Sequence, residues 1–318
     1  VQARVNSSTY ATVISGSASS DLSLNVGNNT IDIRITAQDG TTVKTYTISI
    51  NRAQSSNADL SALTISSGAL NPSFSTPTIS YTASVINSTT SITITPTVSD
   101  TTATVQVRVN SGTYATVTNG NASSALSLNV GNNTINVKIT AQDGVTVKIY
   151  AITILRALSS NADLANLISN NGNINPTFNA DTLLYSITVS NTITNISFTP
   201  TVADTTATIQ VKFNGGSYLS LTSGAASNNF LLNIGTNTLD VKVTAQDGIT
   251  IKTYSISIIR LLSSNANLAA LSTSVGTISP IFSYNITDYT INVSQSTMFL
   301  QVTPTAAESN ASILTRLN

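Results

Sequence analysis

A repeat of 104 residues constrains this chain more than any other feature. The segment ITAQDG starts at Ile35 and Ile139 and returns as VTAQDG at Val243. LNVGNN at Leu24 and Leu128 returns as LNIGTN at Leu232, and SSNADL at Ser55 and Ser159 returns as SSNANL at Ser263. Each interval is the same, and a fixed period of this kind means one folding unit used repeatedly. VQARVN at Val1 matches VQVRVN at Val105, IQVKFN at Ile209 and ILTRLN at Ile313, so the 318 residues end in the phase of the repeat in which they began.

The residues that control backbone shape keep the same period. Glycines recur at 16/120/224, 27/131/235, 40/144/248 and 68/172/276, and prolines at 72/176/280 and 96/200/304. Turn geometry is therefore repeated with the sequence. Tyrosines recur at 10/114/218, 46/150/254 and 81/185/289, as large anchors of core or turn. Between the turns, apolar residues alternate with polar ones: Val105, Val107 and Val109 against Gln106 and Arg108, and Ile135, Val137 and Ile139 against Asn136 and Lys138. Period two is the mark of a half-buried strand. Strands are expected near 60-66, 79-86, 91-97, 104-110, 113-118, 124-129, 133-140 and 146-154. Turn signals such as Asn71-Pro72, Asn119-Gly120 and Asp143-Gly144 separate them. No stretch reads as a long amphipathic helix. So many short strands in about 100 residues predict an all-β chain of tandem antiparallel β-sandwiches.

The run LTISSGALNPSF, then SYTASV, SITITPT, LSLNVGNNTI, ITAQDG and a closing strand of Tyr-x-Ile-x-Ile-x-Arg type resembles the cadherin-like, Ig-like β-sandwich repeat of bacterial and archaeal surface proteins. The resemblance covers the chain three times over, and it implies an extracellular, non-catalytic module found in long tandem arrays. In this phase, 54-157 and 158-261 are complete sandwiches, 1-53 is the C-terminal half of one and 262-318 the N-terminal half of another. A half-sandwich exposes an inner face and unpaired edges. Each end is therefore expected to be completed, either by continuation of the same chain or by a neighbouring copy end to end. A single continuous polypeptide is the expectation, because complementation between molecules needs both halves to survive exposed beforehand. In an ordered assembly Leu268, Leu271, Tyr289, Ile291 and Val293 would share a core with Leu22, Leu24, Ile33, Ile35, Tyr46 and Ile48.

Composition removes most chemistries. The chain has no His and no Cys, hence no imidazole base, thiolate, Cys/His metal site or disulfide. Thirteen basic residues balance thirteen acidic ones, which argues against nucleic acid or an anionic membrane as partner. No apolar run approaches the roughly 18 residues of a membrane span. The sequence opens on VQARVN without an initiator Met or a basic region leading an apolar one, so any signal peptide is expected to be missing or already removed.

Several residues invite a chemical reading. Asp39, Asp143 and Asp247 sit in Asp-Gly turns and read as turn residues. Asn57 and Asp59, repeated as Asn161 and Asp163, could offer calcium oxygens between domains, but the third copy has Asn267 and the acids are not clustered as a tight site requires. Lys44, Lys148 and Lys252 share the inward parity of the closing strand. That permits a Lys-Asn isopeptide crosslink assisted by Asp100, Asp204 or Glu308; the simpler reading is a lysine whose stem snorkels past the core, or a bulge that turns it outward. Asn-x-Ser/Thr occurs at Asn6, Asn28, Asn87, Asn121, Asn132, Asn195, Asn285, Asn292 and Asn310, acceptors only where the cell has the machinery. No serine has a visible partner base. No residue is given a catalytic, cofactor-binding or metal-ligating role, and no cofactor is expected.

Two functions remain: a structural array forming an extracellular filament, fibre or stalk on a microbial surface, or an adhesin whose polar loops bind a glycan or another surface protein. A dedicated site would be expected to break the repeat, and no insertion does, which favours the array. Such an array should stay intact without calcium. It also needs each sandwich to be entered and left at opposite poles, and eight hairpin-linked strands would return to the starting pole. A crossing without reversal is therefore expected across 66-79.

Overall fold

The computed structural model describes residues 1–317, and every regular element in them is a β-strand. The chain divides into two compact units, one from Val1 to Leu158 and the other from Ser159 onward. Each holds one complete sandwich and one half.

In the complete sandwich of the first unit, the larger sheet runs in the order Ala115–Val117, Thr104–Val109, Gly131–Thr140, Val147–Arg156, Ser80–Val85. Facing it are two short pairs, Leu60–Ile65 with Ile94–Val98 and Ser91–Ile92 with Leu126–Ser127. The alternation read in the sequence sets the faces. Val105, Val107, Ile135, Val137, Ile139, Tyr150, Ile152 and Ile154 pack with Leu60, Leu63, Ile92, Ile94 and Val98 in one buried cluster. Each large apolar side chain fully removed from water contributes about 1.5–3 kcal/mol. The second unit repeats the arrangement around Leu164, Phe198, Leu239, Val241, Tyr254 and Ile256.

The expected crossing at 66-79 is corrected by the structure. The chain there does reverse, and it does so twice. After Leu60–Ile65, residues 68–76 run back along the next strand, with Asn71 and Thr82 exchanging both backbone hydrogen bonds at 2.8 Å. Gly68 makes that approach feasible. It sits at φ +80°, and a Cβ there would lie 2.8 Å from the Ser84 carbonyl oxygen. Ser80–Val85 consequently points the same way as Val147–Arg156 and pairs with it in parallel, in a sandwich otherwise antiparallel. This extra traverse makes the number of passes odd.

The consequence is the polarity that an array needs. The Leu60 amide donates to the Tyr150 hydroxyl and the Asp143 amide to the Ser55 carbonyl, so the sandwich begins beside the start of Val147–Arg156. It ends where the Ala157 amide donates to the Val85 carbonyl and Arg156 Nε to the Asn87 carbonyl. At about 3.3 Å per residue, the extended chain between Lys148 and Arg156 puts these poles roughly 25 Å apart.

Residues 1–53 form a four-stranded sheet, Ala11–Thr12, Gln2–Val5, Gly27–Thr36 and Val43–Arg52. In 262–317, Leu268–Thr273 pairs with Val302–Ala306, and Ile278–Ser279 with Thr290–Ile291. Each reproduces part of the complete sandwich and leaves its inner face uncovered.

Candidate functional site

One polar group lies at the entry pole of each complete sandwich. Lys148 and Tyr150 leave the start of the closing strand on the inner side, and the Asn57-x-Asp59 segment arrives opposite them. Lys148 Nζ donates to Asp59 Oδ1 at 2.6 Å, while the Tyr150 hydroxyl accepts from the Leu60 amide at 3.0 Å and donates to the Thr76 carbonyl at 3.3 Å. The second copy repeats this with Lys252 on Asp163 at 2.6 Å and Tyr254 between Leu164 and Ala180. The hydrogen bond to the carboxylate raises the pKa of each lysine, against the opposing effect of burial. Both are therefore charged ammonium groups, and neither is the free amine that amide formation requires.

The structure thus brings the lysines to Asp59 and Asp163 and not to the acids expected for a crosslink. Asp100 and Asp204 are held below the usual carboxylate range, first by the Ser55 and Ser159 hydroxyls and then by Thr102 and Thr206. Asn57 Oδ1 accepts from the Asp59 amide at 2.9 Å, and Asn161 does the same for Asp163. Those oxygens close local turns. Among the described residues no three acidic groups converge.

The Asp-Gly turns are internally saturated. Asp143 Oδ1 accepts from the Val145 and Thr146 amides, and its Oδ2 from the Thr146 hydroxyl at 2.6 Å. Asp247 repeats the pattern with Ile249 and Thr250. In the first copy the Thr42 hydroxyl and amide lower the Asp39 carboxyl to about 2. Of the Asn-x-Ser/Thr sites, Asn6 and Asn87 are tied to Asn29 and the Ala157 carbonyl, and the others are exposed.

Sequence reasoning passed over the buried Asn29, Asn133 and Asn237. Asn133 Nδ2 donates to the Asn129 and Gly131 carbonyls, and its Oδ1 accepts from the Asn129 amide and from Asn110 Nδ2. One amide thus fastens two loops of the exit pole. Its recurrence within GNN, GNN and GTN was the available signal.

The outer face carries a second periodic group, and here the copies differ. Across neighbouring strands, Arg4 pairs with Asp32, which also accepts from the Thr47 hydroxyl, and Lys212 pairs with Asp240, which also accepts from the Ser255 hydroxyl. In the middle copy the positions hold Arg108, Asn136 and Ala151. Arg108 lies over the Tyr114 ring, and its buried Nε has no hydrogen-bond partner.

The inner faces differ even more. Tyr46, Ile48 and Ile35 are 48%, 47% and 41% exposed, whereas Tyr150, Ile152 and Ile139, one repeat later, are fully buried. These groups provide apolar contact and ion pairing.

Comparison with known proteins matches residues 1–53, 60–157 and 161–261 to the cadherin-like beta sandwich domain. A protein of Evansella cellulosilytica, whose name assigns it to the membrane, is 42% identical over 102 residues, which is 32% of this chain and 14% of that protein. The chain thus spans about a seventh of the curated relative it matches. Among solved structures, Drosophila N-cadherin EC1-4 aligns with 76% of this chain and 61% of its own at 14% identity and a TM-score of 0.23. The BSP domain of a biofilm associated protein aligns with 74% of this chain and 42% of its own at 15% identity, also with a TM-score of 0.23.

Proposed function

We propose that this chain, which belongs to the cadherin-like β-sandwich domain family, is a structural, non-catalytic section of a repeat array, forming an extracellular filament, fibre or stalk on a microbial surface. The observation that carries this reading is the strict repetition of the entry-to-exit path. Tyr150 receives the Leu60 amide as Tyr254 receives the Leu164 amide, and Arg156 holds the exit pole as Arg260 does. Each sandwich takes the chain in at one pole and passes it out at the other.

A pull on the ends of such a unit is borne along Val147–Arg156, which pairs with Gly131–Thr140 over its length and with Ser80–Val85 from Ala151 to Arg156. Many ladder bonds then resist together rather than one at a time. The absence of His and Cys, the charged state of Lys148 and Lys252, and turns whose carboxylates are already satisfied support the non-catalytic part of the reading. The name of the Evansella relative supports a surface location.

Single-molecule pulling tests the proposal. Two unfolding events of equal contour increment are expected, one per complete sandwich, each about 330 Å from 104 residues of extended chain less the folded span. Gradual extension at low force, or unequal increments, would remove the mechanical role.

A further inference from the structure

We infer that Asn171, in the turn Ser169-Asn170-Asn171-Gly172, is a site of spontaneous deamidation, and that the fold protects the other asparagine–glycine pairs of the chain. The reaction is intramolecular, with water as co-reactant. Hydroxide takes the proton of the Gly172 amide, and the nitrogen then bonds to Cγ of Asn171. The Cγ–Nδ2 bond breaks, and the leaving nitrogen takes a proton from water and departs as ammonia. Water opens the resulting cyclic imide at either carbonyl. Opening at Cγ leaves an aspartate, and opening at the main-chain carbonyl leaves an isoaspartate, whose main chain runs through the former side chain.

Asn-Gly occurs at Asn119, Asn171 and Asn214. In each the glycine lacks a Cβ to shield its nitrogen. The pairs differ in how firmly they are held. Asn119 Oδ1 accepts from the Val98 amide at 2.9 Å, and the Gly120 amide donates to the Pro96 carbonyl at 2.9 Å, so both reacting groups are engaged. Asn214 donates through Nδ2 to Asn237 Oδ1 at 3.0 Å and accepts from the Thr238 amide at 2.8 Å, which holds its Cγ against the neighbouring strand. The Asp-Gly turns, open to the same cyclisation, are closed as well. The amides of Gly40, Gly144 and Gly248 donate to the carbonyls of Ala37, Ala141 and Ala245.

Asn171 is held by far less. Its Nδ2 reaches the Asn195 carbonyl at 3.4 Å. Among the described residues its Oδ1 accepts no hydrogen bond and the Gly172 amide donates none. Asn171 is half-buried and Gly172 exposed, so hydroxide and water have access.

Ser169 assists the ionisation. Its hydroxyl donates to the Asn171 carbonyl oxygen at 2.6 Å. That oxygen and the Gly172 nitrogen belong to one conjugated peptide group, so it shares the negative charge when the amide is deprotonated. A donor already aimed at developing charge lowers the barrier. The serine is itself fixed, at the end of Leu164–Ser169 opposite Phe198. Ser169 and Asn171 occur together in this copy alone, their counterparts being Ile65 with Ser67 and Thr273 with Val275.

The position gives the reaction a structural consequence. Gly172 opens the return traverse of the second sandwich, and a Cβ there would lie 2.6 Å from Ile187 Cγ2. An isoaspartate lengthens the main chain immediately before this close approach. The bonds that Asn175 exchanges with Ser186 lie just beyond it. The sandwich of 158–261 therefore loosens with age at its traverse, while that of 54–157 does not.

Peptide mass spectrometry of the folded 318-residue chain, incubated at mildly alkaline pH, tests the inference. Aspartate and isoaspartate should accumulate at residue 171 about tenfold faster than at 119 or 214, where two hydrogen bonds must first break. In denaturant the three sites should react at similar rates. Ser169→Ala should slow residue 171 about tenfold and Ser169→Thr should retain the rate, which separates charge stabilisation from packing. Hydrogen-exchange protection of the Ser186 amide should fall during incubation and that of Thr82 should not. Asn171→Ser, which copies Ser67, should abolish the fall. Equal rates at the three asparagines in the folded chain would overturn the inference, as would a preference for residue 171 that persists in denaturant. Faster conversion in Ser169→Ala would overturn the role given to the serine.

Discussion

The hairpin of Gly27–Thr36 and Val43–Arg52 and the hairpin of Gly131–Thr140 and Val147–Arg156 have the same strand lengths and equivalent registers. One is bare on its inner face and the other is covered. Backbone pairing is thus set within the hairpin, whereas the burial that makes it stable comes from strands distant in sequence, such as Leu60–Ile65 and Ile94–Val98. The largest expected effect follows. Truncating Tyr150 to Ala should cost its sandwich about 3–5 kcal/mol, since it removes a buried ring and the acceptor for the Leu60 amide. Tyr46→Ala should leave calorimetric unfolding almost unchanged. If the two truncations cost the same, residues 1–53 are covered in solution and the comparison fails as drawn.

A smaller effect should be equal in both hairpins. Asn29 and Asn133 make the same four hydrogen bonds, to loop groups that truncation would strand. Asn133→Ala and Asn29→Ala should each cost about 1–3 kcal/mol locally. Hydrogen exchange at the Asn25 and Asn129 amides would register it. Loss of protection only at Asn129 would mean that the bare hairpin is held together by something other than its own amide.

Acid provides a third probe that ignores the cover. Asp39 falls from 3.8 to about 2 through its bonds to Thr42 and Thr41, and Asp143 and Asp247 are lowered by the same pattern. A carboxyl lowered in the folded state contributes stability that is complete above its unfolded value, and loses it as pH falls through the folded value. The turns should therefore hold at pH 4 and loosen toward pH 2. Titrating the Thr42 and Thr146 amide resonances would show it. Asp39→Asn should flatten the response at Thr42 alone, and loosening already complete at pH 4 would contradict the assignment.

How much of this was legible in the sequence depends on the length scale of the interaction. The strands and Asp-Gly turns follow from alternation and from Gly placement, which are local, and the identical spacing of Leu24, Leu128 and Leu232 made the repeat visible. The return traverse at 68–76 was not visible. It is held by backbone bonds between Asn71 and Thr82, which leave no side-chain pattern, and by the close approach of Gly68 to Ser84. Inward parity for Lys148 was readable, but its partner was not, because Asp59 reaches it only after the chain has closed the whole sandwich.

The smallest effect concerns the outer face, where the order of the comparison reverses. The bare hairpin has the complete group Arg4, Asp32 and Thr47, and Asp32 is lowered first by Thr47 and then by Arg4. The covered hairpin has Asn136 and Ala151 in those places, and both acid and hydroxyl are missing together. Residue 136 lies directly across from Arg108 on one side and residue 151 on the other. Asn136→Asp should therefore give Arg108 the partner that Arg4 has, and Ala151→Thr should add the hydroxyl that orients it. Because the group is only half-buried, on the outer face, the pair should raise Tm by only about 2 °C, and salt should erase the gain. Asn136→Asp alone should do less than the double change, since without Thr the new carboxylate lacks its second donor. A loss of stability in the double variant would show that Arg108 and Tyr114 already satisfy that face. The difference between the hairpins would then lie wholly in what covers them.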